Sequence, residues 1–255
     1  MKIALITGAS SGLGKEFAIQ IAKKFDYIDE IWLIARREER LKKMSNLLSV
    51  PVRVFAYDLG EEEVYQALDK SLKHDFADVK ILVNAAGYGW NGGVSSKNID
   101  EQTGMIDINC TALTRIILLS LPYMKKGSKI INVASSSAFS PQPGFAIYAA
   151  TKSYVYSFSK SLGAELSGKG ITVTVVCPGP VNTEFFKRSG EVAGSVKNKL
   201  RSNASEVVRQ ALKDTEQGKS ISVYGNAMKI MRIIAKIVPD DILIAVMKRI
   251  NRIGV

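Results

Sequence analysis

Short runs of β-branched and other apolar residues alternate along this chain with stretches of helical periodicity. The runs read KIALIT (2–7), IWLIA (31–35), VRVFAY (52–57), VKILVN (79–84), SKIINVAS (128–135), ITVTVVC (171–177) and SISVY (220–224). Helices are predicted between them at 13–25, 38–48, 61–73, 101–121, 147–167 and 204–217. Strands that are apolar on both faces must be covered on both faces, and strands joined through helices run parallel with right-handed crossovers. The pattern therefore predicts an α/β fold, a doubly wound, Rossmann-like parallel sheet in three α/β/α layers.

Small and polar residues stand at the ends of the predicted strands. They are Thr7-Gly8, Arg36-Arg37, Asp58, Asn84 to Gly87, Ser135 to Ser137 and Pro178-Gly179. Ligands of a doubly wound sheet bind beyond the carboxyl ends of its strands. We therefore expect these residues to meet at one edge of the sheet and to form the binding site there.

The composition indicates one packed domain. Of the 255 residues, 46% are hydrophobic and 23% are charged, and no Pro-, Gly- or Ser-rich linker divides the chain. Only Ile3 to Ile6 are apolar between Lys2 and the first turn, too few for a signal peptide or a membrane span, so we expect a cytoplasmic protein. Cys110, Cys177 and His74 lack metal-ligand spacing, and neither a metal nor a disulfide is expected.

The chain is basic, with 35 Lys and Arg residues against 24 Asp and Glu residues and a net charge of +11. Such a charge suits a phosphorylated ligand, an anionic membrane or nucleic acid, and it also suits a solvated surface that aids solubility. Nucleic acid is the least favoured partner because no motif combines basic with aromatic residues.

The glycine-rich stretch TGASSGLG (7–14) has two interpretations. Gly8 to Gly12 fits the G-x-S-x-G nucleophile elbow of a hydrolase, whose oxyanion loop comes from an earlier strand and whose serine needs a histidine. No strand precedes this one, and nothing directs His74 toward Ser10. The alternative is a turn that passes a pyrophosphate from a strand to the N-terminus of a helix, and every part of that arrangement is present.

Tyr148 and Lys152 lie four residues apart on a predicted helix, so a phenol and an ammonium share one face. Tyr156 and Lys160 repeat this spacing eight residues later. The second pair would lie roughly 12 Å along the helix and about 80° around it, so both pairs cannot serve one site. Small residues, Ala149 and Ala150, follow Tyr148 and leave room for a cofactor.

Over about residues 1–225 the sequence resembles the short-chain dehydrogenase/reductase family, in an NADP-preferring branch. The matching motifs, in family order, are TGASSGLG (7–14), DL (58–59), NAAG (84–87), Asn109, Ser135, YAATK (148–152) and PGPVNT (178–183). The resemblance implies an oxidoreductase that transfers a hydride between a nicotinamide dinucleotide and a ketone, an aldehyde or a secondary alcohol. The alternative is a protein that keeps the fold and binds a dinucleotide, or acts as a scaffold, without catalysis.

The resemblance also assigns catalytic roles. Tyr148 would be the general acid and base, Lys152 would lower the pKa of that phenol and bind ribose hydroxyls, and Ser135 would hydrogen-bond the substrate oxygen. Asn109 would hold a water that relays protons to Lys152. Two alternatives stay open: Ser136 or Ser137 in place of Ser135, and a purely structural Asn109 that bonds a backbone group.

The cofactor is expected to be NADP(H) rather than NAD(H), because Arg36-Arg37 stands where an NAD-binding chain has a carboxylate after its second strand. Asp58 would bond the adenine amine, and Thr183 with the Val181 backbone would bond the carboxamide. Ala85 departs from the family's commoner N-N-A-G, which leaves one supporting hydrogen bond in doubt. The full set of expected cofactor residues is Gly8, Ser10, Ser11, Gly12, Leu13, Gly14, Arg36, Arg37, Asp58, Leu59, Asn84, Ala85, Ala86, Gly87, Tyr148, Lys152, Pro178, Gly179, Val181 and Thr183.

Two segments are less specific. Residues 184–203 occupy the family's variable substrate region, where Phe185 and Phe186 either anchor the segment, which we favour, or line a pocket. Residues 226–255 are expected to form an amphipathic helical extension on the domain 1–225, with Lys229, Arg232 and Lys236 on one stripe. The extension could cover the substrate mouth, touch a membrane surface, or pack within or between subunits, and packing is favoured. We expect a homodimer or a homotetramer.

Overall fold

A computed structural model of the chain describes residues 1–96, 98–185 and 201–251. Phe186, for which an anchoring role is predicted, and residues 252–255 of the predicted extension lie outside the described residues. The described residues form a seven-stranded parallel sheet in the order β3-β2-β1-β4-β5-β6-β7. The strands are β1 (Lys2–Thr7), β2 (Glu30–Ile34), β3 (Val52–Phe55), β4 (Asp78–Asn84), β5 (Lys129–Val133), β6 (Thr172–Val176) and β7 (Ile221–Ser222).

Helices connect these strands and cover both faces of the sheet. They are α1 (Gly12–Lys24), α2 (Glu38–Ser45), α3 (Glu62–His74), α4 (Ile99–Ile106), α5 (Leu113–Ser120), α6 (Ala146–Ser167), α7 (Ala204–Glu216), α8 (Asn226–Ile237) and α9 (Asp240–Ile250). The strand order reverses between β1 and β4, because the chain leaves β1 toward β2 and β3 and later returns to the other side of β1. A crevice opens at such a reversal, beyond the carboxyl ends of the strands. The predicted doubly wound α/β fold is confirmed.

The core lies on both sides of the sheet, as the doubly apolar strands require. In β2, Trp32 and Ile34 pack into one cluster with α3 and α5, while Ile31 and Leu33 pack into another with α1 and α7. All four side chains are fully buried, and each contributes about 1.5 to 3 kcal/mol to folding. The sheet is thereby fixed in place, and its strand ends form a rigid edge on which a site can be built.

The helix predicted at 101–121 is interrupted. A π-helical turn, Asp107–Ala112, separates α4 from α5 and carries the predicted site residue Asn109. A π turn widens the helix by one residue and recurs at functional sites. The stretch Ile99–Tyr123 is long and apolar enough to cross a membrane by composition, but 44% of its most apolar window is buried and Ile116 and Ile117 belong to the core. Burial in the core accounts for its hydropathy.

The C-terminal helices lie over the same edge of the sheet. Met228 of α8 packs so closely on Gly179 that a Cβ there would lie 2.7 Å from its sulfur. At the end of α9, the Asn251 side chain donates a 2.7 Å hydrogen bond to the Pro143 carbonyl. The exposed side of these helices carries isoleucines, among them Ile233 and Ile237.

Candidate active site

A cleft of about 410 Å³ opens at the carboxyl edge of the sheet. Its first wall is the glycine turn after β1. Gly8 has φ 68°, and a Cβ on it would lie 2.7 Å from the Ala86 nitrogen, so glycine is required for this close approach. The Thr7 hydroxyl joins the turn to the next strand end by accepting hydrogen bonds from the Ala85 and Ala86 amides, both at 3.2 Å.

The helix that follows this turn presents its N-terminus to the cleft. Ser11, the residue before α1, makes no side-chain capping bond to the helix, and its hydroxyl accepts a 2.8 Å bond from Arg37. The first amides of α1 and the positive end of its dipole therefore remain for an anionic ligand. Gly12 and Thr183 lie close to each other beside this helix end, since a Cβ on Gly12 would lie 3.4 Å from the Thr183 Cβ. This cradle fits the pyrophosphate of a dinucleotide.

Arginine side chains crowd one end of the cleft. Arg37 binds the Ser10 hydroxyl at 3.1 Å as well as Ser11, and Arg36 reaches Asp58 at 3.4 Å. Glu184 joins them by accepting bonds from Arg37 at 2.9 Å and from Arg40 at 2.7 Å. Hydrogen bonds from these two guanidinium groups lower the pKa of Glu184 to about 2. The end of the cleft is thus rich in donors for an anion and already holds one carboxylate.

Tyr148 lies on the opposite wall of the cleft, near the start of α6. Its side chain is buried between two rings, with centroid distances of 4.3 Å to Phe145 and 5.4 Å to Phe185. Burial raises the pKa of Tyr148 to about 12, and a hydrogen bond with Ser135 opposes that shift. The phenol is therefore fully protonated at neutral pH. Desolvation is the largest influence of the chain on this pKa, whereas the lowered pKa that the resemblance implies requires the positive charges of Lys152 and of a bound nicotinamide.

Lys152 follows one helical turn after Tyr148 and is equally buried. Its Nζ donates a 2.9 Å hydrogen bond to the Val133 carbonyl and lies 5.7 Å from the centre of the Tyr148 ring. Burial lowers the pKa of Lys152 to about 8. The ammonium is still mostly charged at neutral pH.

Of the three serines at the end of β5, Ser135 is the one in contact with Tyr148. Its hydroxyl hydrogen-bonds with Tyr148 and also accepts a 3.1 Å bond from the Ser137 amide. Ser136 is buried, and its amide donates to the Pro178 carbonyl at 2.8 Å. All three serines line the cleft, but the contact with the phenol distinguishes Ser135.

Asn109 is fully buried beneath the cleft. Its Oδ1 accepts from the Tyr88 amide at 3.0 Å, and its Nδ2 donates to the Tyr88 carbonyl at 2.9 Å and to the Thr151 hydroxyl at 3.0 Å. A Cβ on Gly87 would lie 2.8 Å from the Asn109 oxygen and 3.3 Å from the Lys152 nitrogen, so both groups meet at this glycine. These contacts match the structural alternative for Asn109, in which it bonds a backbone group.

Most of the predicted site residues meet in this cleft. Those that line it are Gly8, Ser10, Ser11, Gly12, Leu13, Gly14, Arg36, Arg37, Asp58, Leu59, Ala85, Ala86, Gly87, Ser135, Tyr148, Lys152, Pro178, Gly179, Val181 and Thr183. Asn84 and Asn109 are not among the lining residues of the described chain. Asn84 lies under the strand end, where its amide donates to Asn132 at 2.9 Å and its Oδ1 has no partner among the described residues.

The second tyrosine and lysine pair lies elsewhere. Tyr156 packs edge-on against Phe139, and the Lys160 ammonium bonds the Ser220 hydroxyl. His74 lies at the end of α3, before β4 begins, and therefore at the opposite edge of the sheet from Ser10. Its side chain is 82% exposed and pairs with Asp75, which removes the base that a hydrolase would need. Among residues 1–96, 98–185 and 201–251, no three His, Cys, Asp or Glu side chains cluster as metal ligands.

The sequence motifs did not predict the residues at the apolar end of the cleft. This end is lined by Tyr88, Phe145, Phe185, Met228, Met231, Met247 and Ile250. Phe145 lies immediately before α6, outside the predicted helix 147–167, so helical spacing could not predict its contact with Tyr148. The methionines come from α8 and α9, and their inward orientation depends on how those helices dock. Residues of both helices of the extension therefore line the cleft.

The sequence is similar to those of known oxidoreductases. The family model described as short chain dehydrogenase matches residues 2–193. An uncharacterized oxidoreductase from Staphylococcus epidermidis is 32% identical over 213 residues, 83% of this chain and 90% of that protein. Sulfoacetaldehyde reductase 2 from Chromohalobacter salexigens is 35% identical over 205 residues, 76% of this chain and 79% of that protein.

Solved structures share the fold. A short-chain dehydrogenase from Sphingobium yanoikuyae in complex with NADPH has a TM-score of 0.79 and 29% identity, covering 91% of this chain and 92% of its own. A bulky-bulky ketone specific alcohol dehydrogenase from Comamonas testosteroni has a TM-score of 0.74 and 25% identity, with 92% of each chain covered. A Burkholderia phymatum short chain dehydrogenase/reductase in complex with NAD has a TM-score of 0.78, covers 91% of this chain and 92% of its own, and at 21% identity shows the fold alone.

Proposed function

The chain belongs to the short-chain dehydrogenase family, and we propose that it transfers a hydride between NADP(H) and a ketone, an aldehyde or a secondary alcohol. One observation carries the proposal. Tyr148, Ser135 and Lys152 converge on one wall of a cleft whose other wall is the glycine turn and the N-terminus of α1. A proton donor therefore faces the place where a dinucleotide would lie.

Tyr148 acts as the general acid in the proposed reduction. The nicotinamide, when bound, supplies a hydride to the carbonyl carbon or accepts one from the alcohol. The Tyr148 phenol is protonated because its pKa is raised to about 12, so it can donate its proton to the carbonyl oxygen. Ser135, already bonded to that phenol, orients the same oxygen. The Lys152 ammonium then stabilises the phenolate that remains, since its charge persists below a pKa of about 8.

The arginine-rich end of the cleft supports NADP(H) as the cofactor. Arg37 is fixed on the glycine turn through Ser10 and Ser11, where a guanidinium can bind a 2′-phosphate with charge-assisted hydrogen bonds. Arg40 adds a second guanidinium that the sequence motifs did not identify. The NADPH complex of the Sphingobium protein agrees with this proposal, whereas the Burkholderia protein was solved with NAD.

The substrate proposed for this site is a carbonyl compound with apolar bulk. Met228, Met231 and Met247 face the cleft from the C-terminal helices, and Phe145 and Phe185 enclose the phenol. Methionine side chains adapt to irregular apolar shapes, which suits a substrate with apolar bulk. The ketone specificity stated for the Comamonas protein is consistent with such a pocket.

The proposal is tested by following cofactor consumption with the full-length protein. A panel of aliphatic and aromatic ketones and aldehydes of increasing size is offered with NADPH and, separately, with NADH. We expect turnover with NADPH that improves with apolar bulk. Binding of NADPH without turnover of any member of the panel would instead support the non-catalytic alternative.

A further inference from the structure

Glu184 occupies the donors that a 2′-phosphate would need. Its Oε2 lies 2.9 Å from an Arg37 nitrogen, and its Oε1 and Oε2 lie 2.7 and 2.9 Å from one Arg40 nitrogen. A carboxylate and a phosphate use the same guanidinium donors in the same way. Arg37 is also the residue that binds the hydroxyls of the glycine turn, so the carboxylate lies beside the adenosine end of the proposed cofactor site.

Glu184 cannot leave these donors by becoming neutral. Its pKa is lowered to about 2, so it is a carboxylate at every pH at which the protein would work. An incoming phosphate would meet either a negative charge at its own binding groups or a carboxylate that must move away. Both outcomes reduce the affinity for the phosphate.

We propose that Glu184 is a specificity-determining residue, which competes with the cofactor's 2′-phosphate for Arg37 and Arg40 and so limits the preference for NADP(H) over NAD(H). This inference rests on the proposed function, because it needs a cofactor that carries a 2′-phosphate. It predicts that the arginines alone would prefer the phosphate more strongly than the wild-type protein does.

The test uses 2′,5′-ADP and 5′-AMP as probes, which differ only in the 2′-phosphate, and measures binding by calorimetry. Glu184→Gln should bind 2′,5′-ADP roughly 3- to 10-fold more tightly than wild type, the range that two partly exposed ion pairs can supply, and 5′-AMP equally. Glu38→Gln is the matched control. It removes the same charge from a neighbouring carboxylate that pairs with Lys42 at 2.9 Å, and it should change neither affinity.

Two results would overturn the inference, and a third would refute only the cofactor preference on which it rests. Weaker binding of 2′,5′-ADP by Glu184→Gln would mean that Glu184 holds the arginines in place for the phosphate. An equal gain in affinity for 2′,5′-ADP in Glu38→Gln would mean that the effect comes from the net charge of the protein and not from Glu184. A wild-type protein that binds 2′,5′-ADP no better than 5′-AMP would refute the proposed cofactor preference itself, which separates that failure from failure of the Glu184 inference.

A second observation concerns the outer face of the C-terminal helices. Ile230, Ile233, Ile234 and Ile237 of α8 are between 46% and 76% exposed, and at about 100° per residue they share one arc of about 100°. The exposed Lys229 and Lys236 border that arc. On α9, Ile242 and Val246 are at least half exposed. We call the four exposed isoleucines of α8 the isoleucine face.

The charge around the isoleucine face selects its occupant. An anionic lipid surface complements the charge of the bordering lysines Lys229 and Lys236. A helix of 12 residues is about 18 Å long, too short to cross a bilayer, and a helix with an apolar arc and a basic edge lies in the interface. We also infer that the isoleucine face docks on an anionic lipid surface.

Sedimentation of the full-length protein with vesicles tests this docking. Binding should be stronger to vesicles of phosphatidylcholine with phosphatidylglycerol than to phosphatidylcholine alone. Ile233→Ser with Ile237→Ser should weaken it by at least about tenfold, since each substitution removes an apolar side chain that the lipid would bury. Phe76→Ser, which replaces an apolar residue that is 88% exposed on another part of the surface, should have no effect.

The lysines provide a second measurement. Lys229→Gln with Lys236→Gln should reduce binding to the anionic vesicles and leave the weak binding to phosphatidylcholine unchanged. Equal binding to both vesicle types would overturn the inference. So would dissociation of an oligomer in the double serine variant, measured by light scattering without lipid, because the face would then be covered by a second copy.

Discussion

Replacing the buried lysine of the site should stabilise the protein while removing its activity. The Lys152 side chain is only 5% exposed, and burial lowers its pKa from 10.5 to about 8. At about 1.4 kcal/mol per pKa unit, the charged side chain costs the fold about 3 kcal/mol at neutral pH. Lys152→Met removes that cost and keeps most of the volume, but loses the bond to the Val133 carbonyl, worth about 1 to 1.5 kcal/mol. We expect a net gain of about 1 to 2 kcal/mol.

The dependence on pH identifies the cause. Below pH 8 the lysine is protonated in both the folded and the unfolded chain, so the gain is constant. Between pH 8 and 10.5 the folded wild type releases the proton while the unfolded chain keeps it, and the stability of the wild type therefore rises with pH. Lys152→Met lacks this rise, so its advantage should shrink over that interval.

The assay is urea denaturation followed by circular dichroism, without cofactor, at about pH 7 and about pH 9.5. Lys160→Met, a change of a partly exposed lysine on the same helix, controls for the loss of a lysine side chain. A Lys152→Met protein that is less stable than wild type at pH 7 would refute the reasoning. A stability difference that does not change with pH would refute it as well.

Four further substitutions test the site, and one measurement tests the assembly. Gly87→Ala places a Cβ 2.8 Å from the Asn109 oxygen and should raise KM for NADPH about tenfold or more; an unchanged KM would contradict the close approach. Ser135→Ala should lower kcat about 100-fold and Ser137→Ala less than about threefold, and equal losses would remove the assignment of the serine. Arg37→Ala should raise KM for NADPH at least tenfold and KM for NADH less than about threefold, whereas equal increases would contradict a 2′-phosphate site. Light scattering should give a dimer or a tetramer, and a monomer would contradict the expected homo-oligomer.

Sequence periodicity predicted the fold because burial dictates it. Strands such as β2 are apolar on both faces, and only a sheet covered by helices on both sides buries Trp32 and Leu33 together. The π turn at Asp107–Ala112 could not be predicted in the same way. Its residues continue the helical pattern, and the extra residue per turn is stabilised by the bonds of Asn109 to Tyr88, 21 residues away in sequence.

The residues of the candidate site likewise fall into those that local sequence predicts and those that depend on long-range contacts. Residues in local motifs, such as Tyr148 with Lys152, could be found from their spacing. The pairing of Glu184 with Arg37 spans 147 residues, and no local sequence pattern predicts it. The placement of Asn84 beneath the cleft depends on its register with Asn132, which only the assembled sheet fixes. Tertiary contacts of this kind also determine which face of α8 and α9 turns toward the cleft.

The two tyrosine and lysine pairs of α6 allow the most direct test of the proposed catalysis. Tyr148→Phe keeps the ring between Phe145 and Phe185 and removes only the hydroxyl, and Tyr156→Phe makes the same change outside the cleft. With NADPH and the best carbonyl substrate of the panel, Tyr148→Phe should lower kcat by at least about 100-fold, and Tyr156→Phe should leave it within about twofold of wild type. A Tyr148→Phe enzyme that turns over as fast as wild type would contradict the assignment of the proton donor.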